Sequence, residues 1–299
     1  MRKLLLSATT LCLAAQLATA QIRLPQPSPG ASVMQTIGTT DITVKYSRPS
    51  LKGREPFTSA FVPYGKVWRT GANAATNFNT TTDLTVGGQK LPAGSYALLS
   101  IPNQNEWTLI FSKNGSVTEQ NYKQEEDALR VQIAAAPAAE KTETFTINFS
   151  DVTDSTANMN IVFGNAKATA KLGVDVTANA SANVDKAVAD KPEDPAVLQA
   201  AAGYNLSKGR NLEQALSWAD KSIGMKETFR NVWLKAQILA KMGKFAEAVP
   251  LAQKALSLGE TSGDAAFPFF KDAIAKGVTE YTSKLPVALP AAKGKKKKS

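Results

Sequence analysis

The sequence predicts a multidomain β + α chain: an antiparallel β-sandwich or jelly-roll-like domain over residues 21–177, then an α-helical hairpin domain over residues 195–285. Three observations carry that expectation. Between about residues 30 and 177, apolar residues alternate with polar ones or fall into short β-branched runs. Turn residues interrupt those runs at short, regular intervals. After Thr177, Ala, Lys, Leu and Gln dominate, and two stretches repeat at an offset of 33 residues.

The chain begins with the three parts of a secretory signal over residues 1–20. Arg2 and Lys3 form a basic start, Leu4–Ala15 is apolar, and Ala18-Thr19-Ala20 is an A-x-A cleavage site. The apolar stretch is too short to span a bilayer. Leu11 stands before Cys12 where lipid attachment would need a small residue. The mature chain is therefore expected to begin at Gln21, exported to the periplasm or the exterior and soluble after cleavage.

The strands follow in order. Ser32–Ile37 and Asp41–Tyr46 flank Gly38-Thr39-Thr40, a hairpin signal. Val67-Trp68-Arg69 leads into Gly71, and Thr76–Thr81 alternates around Phe78. Leu84-Thr85-Val86 closes on Gly87-Gly88, and Pro92-Ala93-Gly94 turns into Ser95–Ile101. Trp107–Phe111 ends at Asn114-Gly115, Glu125–Val131 offers one helical turn, and Thr144–Phe149 alternates cleanly. Met159–Phe163 is expected to be buried on both faces. Eight to ten short strands in this spacing predict antiparallel packing rather than a parallel sheet.

Residues 178–194, with Pro192 and its neighbour Pro195, read as a linker. Beyond it, Leu212–Leu216 answers Phe245–Val249, and Trp218–Lys221 answers Leu251–Lys254. Gly209 and Gly243 mark the turn inside each unit. Ala215 and Ala219, like Ala248 and Ala252, are small residues at i, i+4, as close helix–helix contact requires. This region resembles degenerate tetratricopeptide repeats, which implies a surface for a protein partner. A last helix, Ala265–Ser283, is expected to be interrupted at Pro268, and Trp218 and Trp233 are expected in the core.

Composition narrows the chemistry. With no His and one Cys, at position 12 in the signal, the mature chain has no Ser-His-Asp or Cys-His pair, disulfide or imidazole-bound zinc. Neither a phosphate loop nor a dinucleotide fingerprint occurs, and no cofactor is expected. The formal charge of +10 is uneven: residues 21–190 hold 15 basic and 15 acidic side chains, while Lys293 and Lys295–Lys298 lie in the tail 286–299. That tail reads as disordered and solvated. It could make weak contact with an anionic surface, each Lys contributing about 1 kcal/mol. No nucleic-acid partner is expected, since basic and aromatic residues do not interleave along a groove-like stretch.

Residues 46–101 are the most distinctive stretch. They include Tyr46-Ser47-Arg48-Pro49, Lys52-Gly53-Arg54, Pro63-Tyr64-Gly65-Lys66-Val67-Trp68-Arg69-Thr70-Gly71-Ala72-Asn73 and Leu91-Pro92-Ala93-Gly94-Ser95-Tyr96. With Trp107 and Asp127-Ala128-Leu129-Arg130-Val131, the stretch resembles the bacterial family called domain of unknown function 2911, over about residues 25–175. The resemblance implies an all-β exported domain typical of Bacteroidetes, often followed by helical repeats, and implies no reaction. Phe163-Gly164 stands where family members usually carry Trp-Glu.

Two readings of the distinctive segment stay open. In the first, Trp68 is a core residue, and Arg69, on the opposite face, joins Asn73 in a hydrogen-bonded hub that holds the loop. In the second, Lys52, Arg54, Tyr64, Lys66, Arg69 and Asn73 meet at one end of the domain and bind a saccharide or a small anion. Glu125-Glu126-Asp127 offers carboxylates for glycoside hydrolysis, and Asp151, Asp154 and Asp175 lack the spacing of a calcium loop. The sequence thus favours an exported envelope protein that binds a ligand or partner without catalysis. The alternative is a carboxylate-dependent enzyme acting on an envelope saccharide or ester.

Overall fold

The computed structural model describes residues 24–58 and 61–286. The signal segment, its cleavage site, Cys12 and residues 287–299 of the Lys-rich tail lie outside the described residues. The chain divides into two units, Met1–Val174 and Asp175–Ser299.

The first unit is β. Its strands are β1 (Gly30–Ile37), β2 (Thr40–Ser47), β3 (Thr76–Thr80), β4 (Leu84–Val86), β5 (Gln89–Leu91), β6 (Gly94–Ile101), β7 (Glu106–Ser112), β8 (Asp127–Ser150) and β9 (Thr156–Gly173). They form one antiparallel sheet in the order β1-β2-β3-β6-β7-β8-β9-β4-β5. The alternation read from sequence is realised: Thr40, Ile42, Val44 and Tyr46 of β2 all point into the core.

Two layers arise from one continuous sheet, not from two separate ones. Strand β8 pairs with β7 through Asp127–Ala134 and with β9 through Ala134–Ser150. The β8–β9 register shifts between Pro137 and Thr142, and such irregularities bend strands. The far half of β8 thereby meets the end of β2. There the Tyr46 hydroxyl donates to the Ile147 carbonyl at 3.2 Å and accepts from the Ile147 N–H at 3.0 Å. Phe78, Trp107, Phe111, Phe145 and Phe163 fill the shared core, all fully buried.

Strand β6 is buried on both faces because a second cluster forms outside the sheet. Ala97, Leu99 and Ile110 pack there under Val117, from the segment joining β7 to β8. Within that segment the expected helical turn is a short 3₁₀ turn at Gln124–Glu126. Of the stretch Met159–Phe163 expected to be buried on both faces, Val162 is only half-buried and the others are buried, with Asn160 making one face polar. Asn160 donates to Asn148 Oδ1 and Ser150 Oγ, both at 3.0 Å, and accepts from Thr169 Oγ1.

The second unit contains six helices among the described residues: α1 (Val176–Asp190), α2 (Pro195–Lys208), α3 (Leu212–Met225), α4 (Phe229–Lys241), α5 (Phe245–Ser262) and α6 (Phe267–Ser283). The linker expected at 178–194 is mostly helix α1. Asp175 caps it by accepting the Ala178 N–H at 2.9 Å, and none of its residues is buried. A helix without an apolar stripe leaves no periodic signal, which is why it read as a boundary.

Helices α2–α3 and α4–α5 form hairpins that turn at Gly209 (φ 63°) and Gly243 (φ 78°). Ala215, Ala219, Ala248 and Ala252 are fully buried between helices. Trp233 is buried in one helical cluster and Trp218 packs on another. Pro268 does not interrupt α6. It lies in the first turn, where its missing N–H costs nothing. No helix among the described residues is long and apolar enough to cross a membrane.

Candidate functional site

The distinctive segment runs antiparallel beside the end of β6. Gly65 donates to Pro102 at 2.9 Å, and Trp68 exchanges backbone hydrogen bonds with Ser100 at 2.8 and 2.9 Å. Alternation then sends successive side chains to opposite sides. The Trp68 ring enters the core, edge-on to Phe145 at 5.0 Å, and its Nε1–H donates to the Gly71 carbonyl at 2.9 Å.

Arg69 points the other way, onto Glu119 in the β7–β8 connection. Its Nε lies 2.8 and 2.9 Å from the two carboxylate oxygens, and its Nη2 also donates to Oε2. The Arg69 backbone N–H adds a bond to Oε1 at 3.1 Å, and Nη1 donates to the Asn73 carbonyl. Both side chains are 24% exposed. The hydrogen bond to Glu119 raises the Arg69 pKa. Burial pushes the Glu119 carboxyl up, but hydrogen bonds and charge from Arg69 outweigh it and hold the pKa below its usual value.

The loop behind Arg69 is tightly tied. Thr70 (φ 53°) is buried and donates to Ser100 Oγ at 2.9 Å, while Thr76 Oγ1 donates to the Thr70 carbonyl at 2.6 Å. Asn73 (φ 60°) donates from Nδ2 to the Ser28 carbonyl at 3.2 Å and to Ser47 Oγ at 3.3 Å. Gly71 (φ 157°) leaves no room: an added Cβ would lie 3.0 Å from the Ser47 carbonyl oxygen and 3.1 Å from Thr76 Oγ1. Gly71→Ala is therefore expected to cost the β unit about 1 kcal/mol, and Gly71→Val more. Urea midpoints of the two variants check this; equal midpoints for wild type and the Val variant would refute it.

Of the six candidate residues, Arg69 and Asn73 are the pair seen in direct contact. Arg69 and Asn73 form the hub just described. Arg54 is folded onto its own turn, donating to the Leu51 and Ser50 carbonyls at 2.9 and 2.8 Å, with its guanidinium 3.8 Å over the Phe61 ring. Lys52 (φ 49°) donates its backbone N–H to Glu143 Oε1 at 2.8 Å. Lys66 is exposed. Tyr64, 43% exposed, lines a cleft of 310 Å³ with Glu55, Phe57, Gln104, Asn105 and Asn165.

Two of the acidic trio, Glu126 and Asp127, hold the β7–β8 connection. Glu126 Oε2 accepts from Asn114 Nδ2 at 2.8 Å, and Asp127 Oδ2 from the Tyr122 hydroxyl at 2.7 Å. Burial, then the bond to Asp127, pushes the Tyr122 hydroxyl up to about 12. Burial likewise raises the Asp127 carboxyl. Among the described residues, no group of three or more acidic, Cys or His side chains could hold a metal ion.

Sequence reasoning missed Glu119, the partner of Arg69, and the cleft residues other than Tyr64. Glu119 is one acid in a polar connection fifty positions from Arg69, and nothing local marks it. Position 164 is a glycine at φ 59°. Pro56 covers it so closely that a Cβ would lie 2.6 Å from Pro56 Cγ.

In the helical unit, α2, α4 and α6 share a groove. Spaces of 400 and 550 Å³ adjoin through Gln199, Ala200 and Arg230. Trp233, Leu234, Phe269 and Phe270 supply the apolar part of the second space beside Arg230 and Gln237, and Phe269 is 87% exposed.

No curated protein matches the chain. Residues 28–172 match a family described as Protein of unknown function (DUF2911). That span begins just before β1 and ends in β9, enclosing Trp68 and the Arg69 hub. The β unit of this chain therefore belongs to the DUF2911 family.

Proposed function

We propose that this chain is an exported envelope protein that works by binding, without catalysis, and that its helical unit receives a protein partner. The observation that carries the reading is Phe269. A phenyl ring 87% exposed, beside Phe270 and a shared groove, is costly to leave in water unless something covers it. The paired hairpins with small residues between helices, in the manner of tetratricopeptide repeats, fit the same role. On the β side, Arg69 and the carboxylates Glu119, Glu126 and Asp127 are spent on internal bonds, which favours binding over the enzymatic alternative.

Two measurements test it. A photoreactive residue at position 269, in cells exporting the full chain, should give a discrete protein adduct, while the same residue at exposed Glu213 on α3 should not. No adduct at 269, or equal adducts at both, would refute the partner role. Amino-terminal sequencing of the exported chain should start at Gln21; an intact Met1 in the cytoplasmic fraction would refute export.

A further inference from the structure

We infer that the cleft beside Tyr64 is a binding site for a neutral saccharide. The inference is separate from the partner groove and rests on the β unit alone.

The cleft is built by the bend that doubles the sheet. On the β8–β9 pair, Pro137 is opposite Ala166 and Thr142 is opposite Gly164, so Asn165 alone spans the step that β8 crosses with residues 138–141. Asn165 therefore stands at the opening left by the bulge. The β6–β7 turn is tied to this region, since Ala135 donates to the Asn105 carbonyl at 3.0 Å. Gly65 ties the Tyr64 segment to the same turn through Pro102. These backbone bonds fix the walls before any ligand arrives, which lowers the entropy lost on binding.

The floor is aromatic and rigid. Tyr64 stacks on Phe57 with ring centroids 5.4 Å apart and planes 16° from parallel, and Phe57 sits edge-on to buried Trp107 at 5.2 Å. One face of Tyr64 is thus held from below while the side chain stays 43% exposed. Phe57 (φ 63°) and Val62 (φ 55°) hold backbone conformations that side chains resist, and such strain gathers where a loop must present a surface.

The polar groups around that ring are amides. The exposed side chains of Gln104, Asn105 and Asn165 make no hydrogen bond to one another or to the other described residues. Each offers a donor and an acceptor, which suits hydroxyl groups that also do both. Glu55 is the charged lining residue, and Lys141 neutralises it at 2.6 Å. Among the described residues that line the cleft there is no cation to hold an anion. A sugar ring has an apolar face for the Tyr64 ring and hydroxyls for the amides. At 310 Å³ the cleft is near the lower end of the ~300–1,000 Å³ usual for ligand sites, room for a mono- or disaccharide unit.

The test is calorimetric titration of the full exported chain with cellobiose, mannobiose, chitobiose and maltose, beside galacturonate and inorganic phosphate as anionic probes. At least one neutral disaccharide should bind with a dissociation constant below about 10 mM. Tyr64→Ala and Asn165→Ala should each weaken it about tenfold, and Tyr64→Phe and the distant Lys90→Ala should leave it unchanged. Circular dichroism confirms that each variant is folded; if Tyr64→Ala is not, Asn165→Ala and a Gln104→Ala, Asn105→Ala double variant decide. Failure of all four disaccharides to bind, preference for an anionic probe, or binding indifferent to the cleft variants would overturn the inference. Loss of the adduct at position 269 would leave it untouched.

Discussion

Trp68→Ala is expected to lower the stability of the β unit by about 3–5 kcal/mol, the range for removing a buried aromatic ring. Trp68 touches both layers of the doubled sheet: Phe145 edge-on at 5.0 Å, Trp107 at 6.2 Å and Phe163 stacked at 6.2 Å. Its removal opens a cavity among three rings and deprives the Gly71 carbonyl of its 2.9 Å donor. Trp68→Phe should cost less, because a ring remains while the N–H is lost. Urea unfolding followed by near-ultraviolet circular dichroism reads both changes. An alanine variant within about 0.5 kcal/mol of wild type would show that the rings can close over the space.

Arg69→Ala should cost about 1–3 kcal/mol, because it leaves Glu119 half-buried without its counter-charge and frees the Asn73 turn. The pair is partly exposed, so the effect falls short of the ~3–5 kcal/mol seen when a fully buried pair is broken. The pH dependence has a definite sign. Because the folded Glu119 pKa lies below its unfolded value, its contribution is present above about pH 4.3, the ordinary Glu value, and is lost as pH falls through the folded pKa. The gap between wild type and Arg69→Ala should therefore be full at pH 7 and shrink on acidification below about pH 4. A gap independent of pH between 7 and 3 would mean that the arginine acts through packing alone.

Much of this architecture can be read locally. Period-two alternation located the strands, and alanines at i, i+4 located the contacts between helices. Alternation about Trp68 also placed its ring inside and Arg69 outside, both as found. The failures share one cause. Glu119 lies in an aperiodic connection, α1 has no buried face, and the six candidate residues were grouped by nearness in sequence. A strand rises about 3.3 Å per residue, so neighbours along an extended segment are quickly carried apart. Tyr64 thus ends at the β6–β7 turn, while Arg69 continues past Trp68 towards Glu119.

Local covalent geometry sets which way a side chain faces within a strand or helix, so the primary structure alone settled the β-then-helix order, the strand faces and the absence of His from the chain. Which loops meet across the doubled sheet is set by where β8 bends, and that depends on contacts more than a hundred positions apart, such as Tyr46 with Ile147. Only the folded chain therefore decided that Arg69 answers Glu119, that position 164 lies under Pro56, and that Tyr64 stands over a cleft ringed by amides.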